Sequence, residues 1–145
     1  MIKAFFFLVI FLSLTAKAQV NFEQATFNEA LAKAKSAQKN LFIYFYTDWC
    51  APCKQLDTIV FHDVKIKEWL NSKFICLKVN AEKGEGIMLD STYNIGAYPT
   101  FLFLDSIGSK VGIVKGTRSN EDYLTIIKSN SREDPFQRDL ENRHK

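Results

Sequence analysis

The chain has 145 residues, 47% of them apolar and 14% aromatic, which is enough for one domain with a sizeable core. That composition excludes a disordered chain. A net charge of +3, with both signs scattered along the sequence, excludes the basic-aromatic arrays that bind nucleic acid. Three cysteines are too few for a disulfide scaffold, and an odd count leaves one unpaired.

The N-terminus carries Lys3, an apolar run from Ala4 to Leu14, and the small-residue pattern Ala16-Lys17-Ala18. The run is well short of the roughly 20 residues a membrane-spanning helix needs. This is the pattern of a secretory signal cut after Ala18. The expected organisation is a signal peptide over 1–18, a folded domain over 19–130 and a polar tail over 131–145. Losing Lys3 and Lys17 leaves a nearly neutral mature chain. Export to the periplasm or beyond places the cysteines where disulfides persist.

Thr26 and Glu29 stand in capping-box spacing, and Phe27, Ala30, Leu31 and Ala34 follow at helical spacing. A first helix is expected to end at Asn40. Leu41 to Tyr46 is a continuous apolar and aromatic run, as in a strand covered on both faces. A second helical stretch begins at the cysteines, with Cys53, Leu56 and Val60 on one face. It breaks near His62-Asp63, and Asp63 is placed to cap a further helix carrying Ile66, Trp69 and Leu70. Phe74 to Val79 reads as a strand containing Cys76, and the segment from Glu85 to Ile95 as a helix closing towards Gly96. Thr100–Asp105 and Lys110–Gly116 form a hairpin across a Gly-containing loop. Ser119 caps a last helix with Tyr123, Ile126 and Ile127 inward. The order is α-β-α-β-α-β-β-α, with the early, helix-linked strands parallel and the final pair antiparallel.

Cys50 and Cys53 stand three positions apart, between Trp49 and Lys54, with Ala51-Pro52 between them. A staple across so short a loop removes little chain entropy. A zinc site needs two more ligands. His62 is expected in an exposed turn, His144 in the tail, and Cys76 in a core strand as a small hydrophobe. A redox dithiol fits better. Cys50 follows a buried strand where a helix begins, and the positive end of a helix favours the attacking thiolate. Cys53 lies one turn on, within reach of a mixed disulfide formed at Cys50. Pro52 suits the first helical turn, where its missing N–H has no role, and Trp49 would cover one side of the sulfur. Tyr98-Pro99-Thr100 is a second marked segment. There Pro99 is either an ordinary strand-start residue or a cis proline in a tight turn.

Across Phe22 to Asn130 the chain resembles the thioredoxin superfamily. The resemblance rests on "DWCAPCK" (Asp48 to Lys54), "YPT" (Tyr98 to Thr100), "LKVNAE" with Lys78, and Gly116. The stretch from Cys53 to Asn80 is most similar to the exported branch typified by the periplasmic C-terminal domain of the bacterial transmembrane thiol:disulfide interchange protein. The resemblance implies an α/β thioredoxin fold with a central mixed sheet of four to five strands, flanked by helices on both faces. It implies Cys50 as nucleophile, Cys53 as resolving thiol, and a cis Pro99 packed against the sulfurs. The Tyr98 backbone would bind extended substrate beside Trp49 and Pro52, and Lys78 would lie under the site and bias local pKa values. Lys54 matches the motif but reads better as a solvated helix lysine.

No cofactor is implied beyond the Cys50–Cys53 disulfide itself. Expected partners are disulfide-containing client proteins and a membrane thiol electron donor, with no nucleic acid, and a monomer is expected. The leading function is reduction of protein disulfides, since Ala-Pro is closer to the Gly-Pro of reducing thioredoxins. An oxidase or isomerase on the same fold is the alternative, as is a non-catalytic binding or chaperone module, against which the intact cysteine pair argues. One departure stands out. Thioredoxins usually place a buried carboxylate six residues before the first cysteine, and here that residue is Tyr44. A phenol is a poor base near neutral pH, so the Cys53 proton is expected to travel more slowly, by Asp48, Lys78 or water.

Overall fold

The computed structural model describes residues 19–131. The segment read as a signal peptide, and all of the tail after Ser131, lie outside the described residues. The elements are β1 (Phe22–Glu23), α1 (Phe27–Ala37), β2 (Asn40–Tyr46), α2 (Ala51–Thr58), a single 3-10 turn (Val60–His62), α3 (Val64–Lys73), β3 (Phe74–Asn80), α4 (Glu85–Tyr93), β4 (Thr100–Leu104), β5 (Lys110–Lys115) and α5 (Asn120–Asn130). Among the described residues no helix is long and apolar enough to cross a membrane.

The five strands form one sheet in the order β1-β3-β2-β4-β5. β1 and β2 run parallel to β3, whereas β4 is antiparallel to both β2 and β5. This is the expected mixed sheet, with one added edge strand. β1 was not foreseen, because two residues are too few to show an alternation.

β2 sits at the centre and is buried from Asn40 to Phe45. Its side chains alternate between two apolar layers, as the period of a strand requires. Phe42 and Tyr44 face a layer built with Leu56 of α2, Ile66 and Leu70 of α3, and Tyr123 and Ile127 of α5. Leu41, Ile43 and Phe45 face Ala30 and Ala34 of α1 and Leu89 of α4. Helices therefore cover both faces. The first layer is dense in aromatic contacts, including Phe42–Phe101 at 5.0 Å and Tyr44–Phe61 at 5.0 Å between ring centroids. Edge-on pairs of this kind add to what burial alone supplies.

Local signals set the helix ends. Thr26 and Glu29 form the reciprocal capping box. The Asp63 carboxylate accepts from the Lys65 and Ile66 N–H groups, and the Ser119 hydroxyl accepts from the Asp122 N–H. The expected end of α1 at Asn40 is corrected. Gln38 takes the left-handed conformation (φ 53°) and its N–H closes on Ala34 and Lys35, so Asn40 becomes the first residue of β2, opposite Phe74. Gln is less at home there than Asn, which is why the local pattern pointed two residues too far. Ile126, expected inward, is half-buried, and like Trp69 it packs against the edge of the first layer.

Gly86 lets α4 approach the end of β3. A Cβ at this position would run into the Asn80 backbone, which has no free end to swing away. Gly86→Ala is therefore expected to lower the unfolding free energy by about 1–3 kcal/mol, the usual cost of overpacking, read as a lower urea midpoint.

Candidate active site

β2 ends at Tyr46, and the chain turns through Thr47-Asp48-Trp49, with the Cys50 N–H donating to the Thr47 carbonyl at 3.3 Å. Cys50 is the N-cap of α2. Its Sγ accepts the Cys53 N–H at 3.2 Å, and Pro52 occupies the first turn. A cap position is where a helix needs an acceptor and where its dipole favours negative charge. The electrostatic preference for a thiolate at Cys50 is thus built into the helix start. Cys50 and Cys53 are joined by a disulfide, with Cα atoms 5.3 Å apart. Both are only 2% exposed, while Trp49 is 67% exposed beside them.

The second segment comes from the loop before β4. The Tyr98–Pro99 peptide is cis, Pro99 is buried, and its carbonyl accepts the Gly116 N–H at 2.8 Å, which ties the segment to the end of β5. The edge of Trp49 meets the Tyr98 ring at 6.1 Å, with an interplanar angle of 79°. This contact brings the two marked segments together. Each aromatic is also held from behind, Trp49 by its indole N–H donating to Glu82 (2.9 Å) and Tyr98 by its hydroxyl donating to Asp90 of α4.

Beneath α2, Tyr44 is fully buried and its hydroxyl donates to the Cys53 carbonyl at 3.1 Å. Burial first, then the nearby Asp57 carboxylate, push this phenol far above its ordinary range. Tyr44 therefore anchors α2 to the sheet and stays protonated. Lys78 lies across the register from Tyr44, with its ammonium 5.5 Å from the Tyr44 ring and 4.7 Å from that of Tyr46. It is ion-paired at 2.7 Å with Asp57 of α2, both side chains about one-third exposed. Asp57, Lys78, Tyr46 and His62 line a cleft of about 980 Å³ beside the N-terminal segment.

Asp48 turns away from the sulfurs, towards Lys83 (2.5 Å) and Asn80 (3.0 Å). Cys76 is buried, and its thiol is pushed far up by burial. That makes it an inert core residue. Lys54 and His62 are exposed, and among the described residues no three His, Cys, Asp or Glu side chains converge on a metal position. Glu82 and Asp90 left no local signal in the sequence, because each reaches its partner across a loop. Asp57 did leave one, its helical spacing four residues after Cys53.

Residues 21–106 match the family model described as thioredoxin-like. The chain belongs to the thioredoxin-like family. It is 30% identical over 103 residues to the thiol:disulfide interchange protein DsbD of Salmonella paratyphi A, covering 68% of this chain and 18% of that protein. The chain thus spans less than a fifth of the length of the curated DsbD relatives it matches. Among solved structures, a candidate disulphide-isomerase from Bacteroides thetaiotaomicron superposes with a TM-score of 0.71 at 37% identity, covering 82% of this chain and 99% of that one. The reduced C-terminal domain of Neisseria meningitidis DsbD shares the fold, with a TM-score of 0.60 at 22% identity over 71% of this chain and 92% of that one. The site is accordingly of the thiol-disulfide oxidoreductase type.

Burial, followed by the hydrogen bond to Asp90, raises Tyr98 to about 12 in the folded protein. An unfolded chain releases a tyrosine proton near pH 10. The folded state holds this proton more tightly, so the stability it contributes is complete below about pH 10 and drains as pH rises towards 12. Across that window wild type should lose stability more steeply than Tyr98→Phe, as measured by urea unfolding at stepped alkaline pH.

Proposed function

We propose that the chain is an exported thiol-disulfide oxidoreductase that reduces protein disulfides in two steps. The observation that carries this reading is the Cys50–Cys53 pair capping α2, with the cis Pro99 segment held alongside by the Trp49–Tyr98 contact. In the reduced protein the Cys50 thiolate attacks a client disulfide, and Cys53 then attacks Cys50 and releases the reduced client. Trp49, Pro52, Tyr98 and Pro99 frame the surface on which an extended client strand lies. Lys78 acts through the groups beneath α2. The name of the DsbD relatives supports interchange chemistry. A reductase in an oxidising compartment needs an electron source, and a membrane thiol carrier is the donor proposed. Export to the periplasm rests on the N-terminal sequence pattern.

A second reading, disulfide isomerisation, is favoured by the 37% identity to the candidate disulphide-isomerase over nearly the whole of that chain. The two differ in their need for Cys53. Net reduction requires both thiols, whereas rearrangement can proceed through Cys50 alone. Cys50→Ser and Cys53→Ser are each expected to abolish insulin reduction, and Cys53→Ser should accumulate a client-linked mixed disulfide. Unchanged turnover in either variant sinks the oxidoreductase reading. Retained activity of Cys53→Ser on a scrambled-disulfide substrate moves the assignment to isomerase. Equilibration with glutathione should place the pair nearer the roughly −270 mV of thioredoxin than the roughly −180 mV of disulfide isomerase.

A further inference from the structure

At the end of the molecule away from the cysteines, α3 and α5 border a groove of about 640 Å³ that thiol chemistry does not use. Lys73 leads directly into the first residue of β3, and the end of α5 is tied to the first residue of β2 by the Asn40 amide donating to the Asn130 carbonyl. The dithiol follows the last residue of β2, so the length of that strand, roughly 20 Å, separates the two places. The groove is built around one indole. Trp69 of α3 is half-buried and packs against the first apolar layer. Two ammonium groups from different helices lie over its ring, Lys73 at 5.8 Å and Lys128 at 5.4 Å from the centroid.

Lys65 and Lys67 also line the groove, and Lys39 closes on it by donating to the Asn71 carbonyl at 3.1 Å. Against them stands one lining carboxylate, Glu68. Among the described residues no carboxylate lies within ion-pairing distance of Lys65, Lys73 or Lys128. The whole chain carries a net charge of only +3, so this concentration of unpaired lysines is local. An aromatic face returns about 0.5–1 kcal/mol to an exposed ammonium, and the cluster remains attractive to anions. Its spacing narrows the choice of anion. Lys65, Trp69 and Lys73 stand at successive fourth positions, which sets them in one line along α3 with a rise of about 6 Å between neighbours. Alternate residues of an extended chain face the same way, about 6.6 Å apart. An extended acid-x-apolar-x-acid segment therefore puts one carboxylate at Lys65, an apolar side chain at Trp69, and the other carboxylate near Lys73 and Lys128. A lipid surface fits less well. Anionic lipid attracts each lysine by about 1 kcal/mol, but binding in the interface also needs apolar side chains that insert. Trp69 is half-buried, and of the large apolar side chains exposed among the described residues only Val64 adjoins a groove residue in sequence.

We propose that this groove is a docking site for a partner protein's extended acidic segment, one that carries an aromatic or large aliphatic residue between its two carboxylates. Lys65, Lys73 and Lys128 take the carboxylates, and Trp69 takes the apolar side chain. A partner held here leaves Cys50 uncovered, because the dithiol stands at the other end of β2. Docking is thus independent of the thiol exchange proposed above, and either can fail without the other.

The probe is the peptide Asp-Ser-Phe-Ser-Glu, acetylated and amidated so that only its side chains are charged, titrated into the full chain by calorimetry. Lys73→Glu/Lys128→Glu should weaken binding roughly 10-fold, as expected for two exposed ion pairs lost and reversed. Both lysines are exposed, so the urea midpoint of this variant should stay near wild type. Replacing the peptide's Phe by Ala should also weaken binding roughly 10-fold, the effect of losing one apolar anchor. Trp69→Leu should shrink the difference between the two peptides, a readout that general charge attraction does not move. Undiminished affinity in Lys73→Glu/Lys128→Glu overturns the proposal. Equal binding of the Phe and Ala peptides marks diffuse attraction and overturns it too. So does the absence of binding at millimolar peptide, and co-sedimentation with vesicles of equimolar phosphatidylcholine and phosphatidylglycerol would then assign the surface to lipid. If Glu133→Lys/Asp134→Lys binds the peptide about 10-fold more tightly than wild type, the chain's own C-terminal segment is the occupant and the proposal falls.

Discussion

The register of β2 between β3 and β4 is the constraint on which the site depends. Tyr44 stands opposite Lys78 on one side and Phe101 on the other, with all three strands buried between two helical layers. Side chains alternate between faces, so a slip of one residue would send Tyr44 into the α1 and α4 layer and bring Phe45 under α2. The same strand delivers the chain to the turn at Thr47 and hence sets where α2 starts. Because Cys50 caps that helix, the strand register also sets where the sulfur lies relative to the helix dipole. Packing in the sheet and chemistry at the thiol are therefore one geometric problem.

The second organising feature is the floor beneath α2. The Tyr44 hydroxyl pins the helix through the Cys53 carbonyl, and the Lys78–Asp57 ion pair ties the next turn to β3. A phenol in this position supplies a hydrogen bond and a large apolar surface, where a carboxylate would bring a buried charge that needs a partner. The charged groups near this floor are the paired Lys78 and Asp57, which line the cleft beside α2. Above α2, Glu82 and Asp90 fix the two aromatics that join the cysteine motif to the proline segment. The oxidised site is thus covered and braced from both sides, with Trp49 as its exposed face.

Much of this was legible in the sequence because it depends on neighbours a few residues apart. The capping box at Thr26, the caps at Asp63 and Ser119, and the inward faces containing Leu56, Leu70 and Ile127 follow from helical spacing, and the structure has them. β1 was illegible since its two residues gain strand character only by lying along β3. The end of α1 was misplaced because a left-handed Gln38 carries no compositional mark. Within the site, Asp48 was one of three proton routes expected, with Lys78 and water, and its carboxylate is instead engaged by Lys83 and Asn80.

By itself the sequence determined the thioredoxin-like fold, the helix-capping cysteine pair and the absence of an acid at position 44. These are matters of spacing, periodicity and residue identity along one strand of chain. Only the tertiary structure decided that Lys78 meets Asp57, that Trp49 meets Tyr98, and that the space beside Asp57 opens to solvent. Each of those facts joins residues from different elements. The distances between such elements are fixed by how the two apolar layers pack on the sheet, which no local pattern encodes.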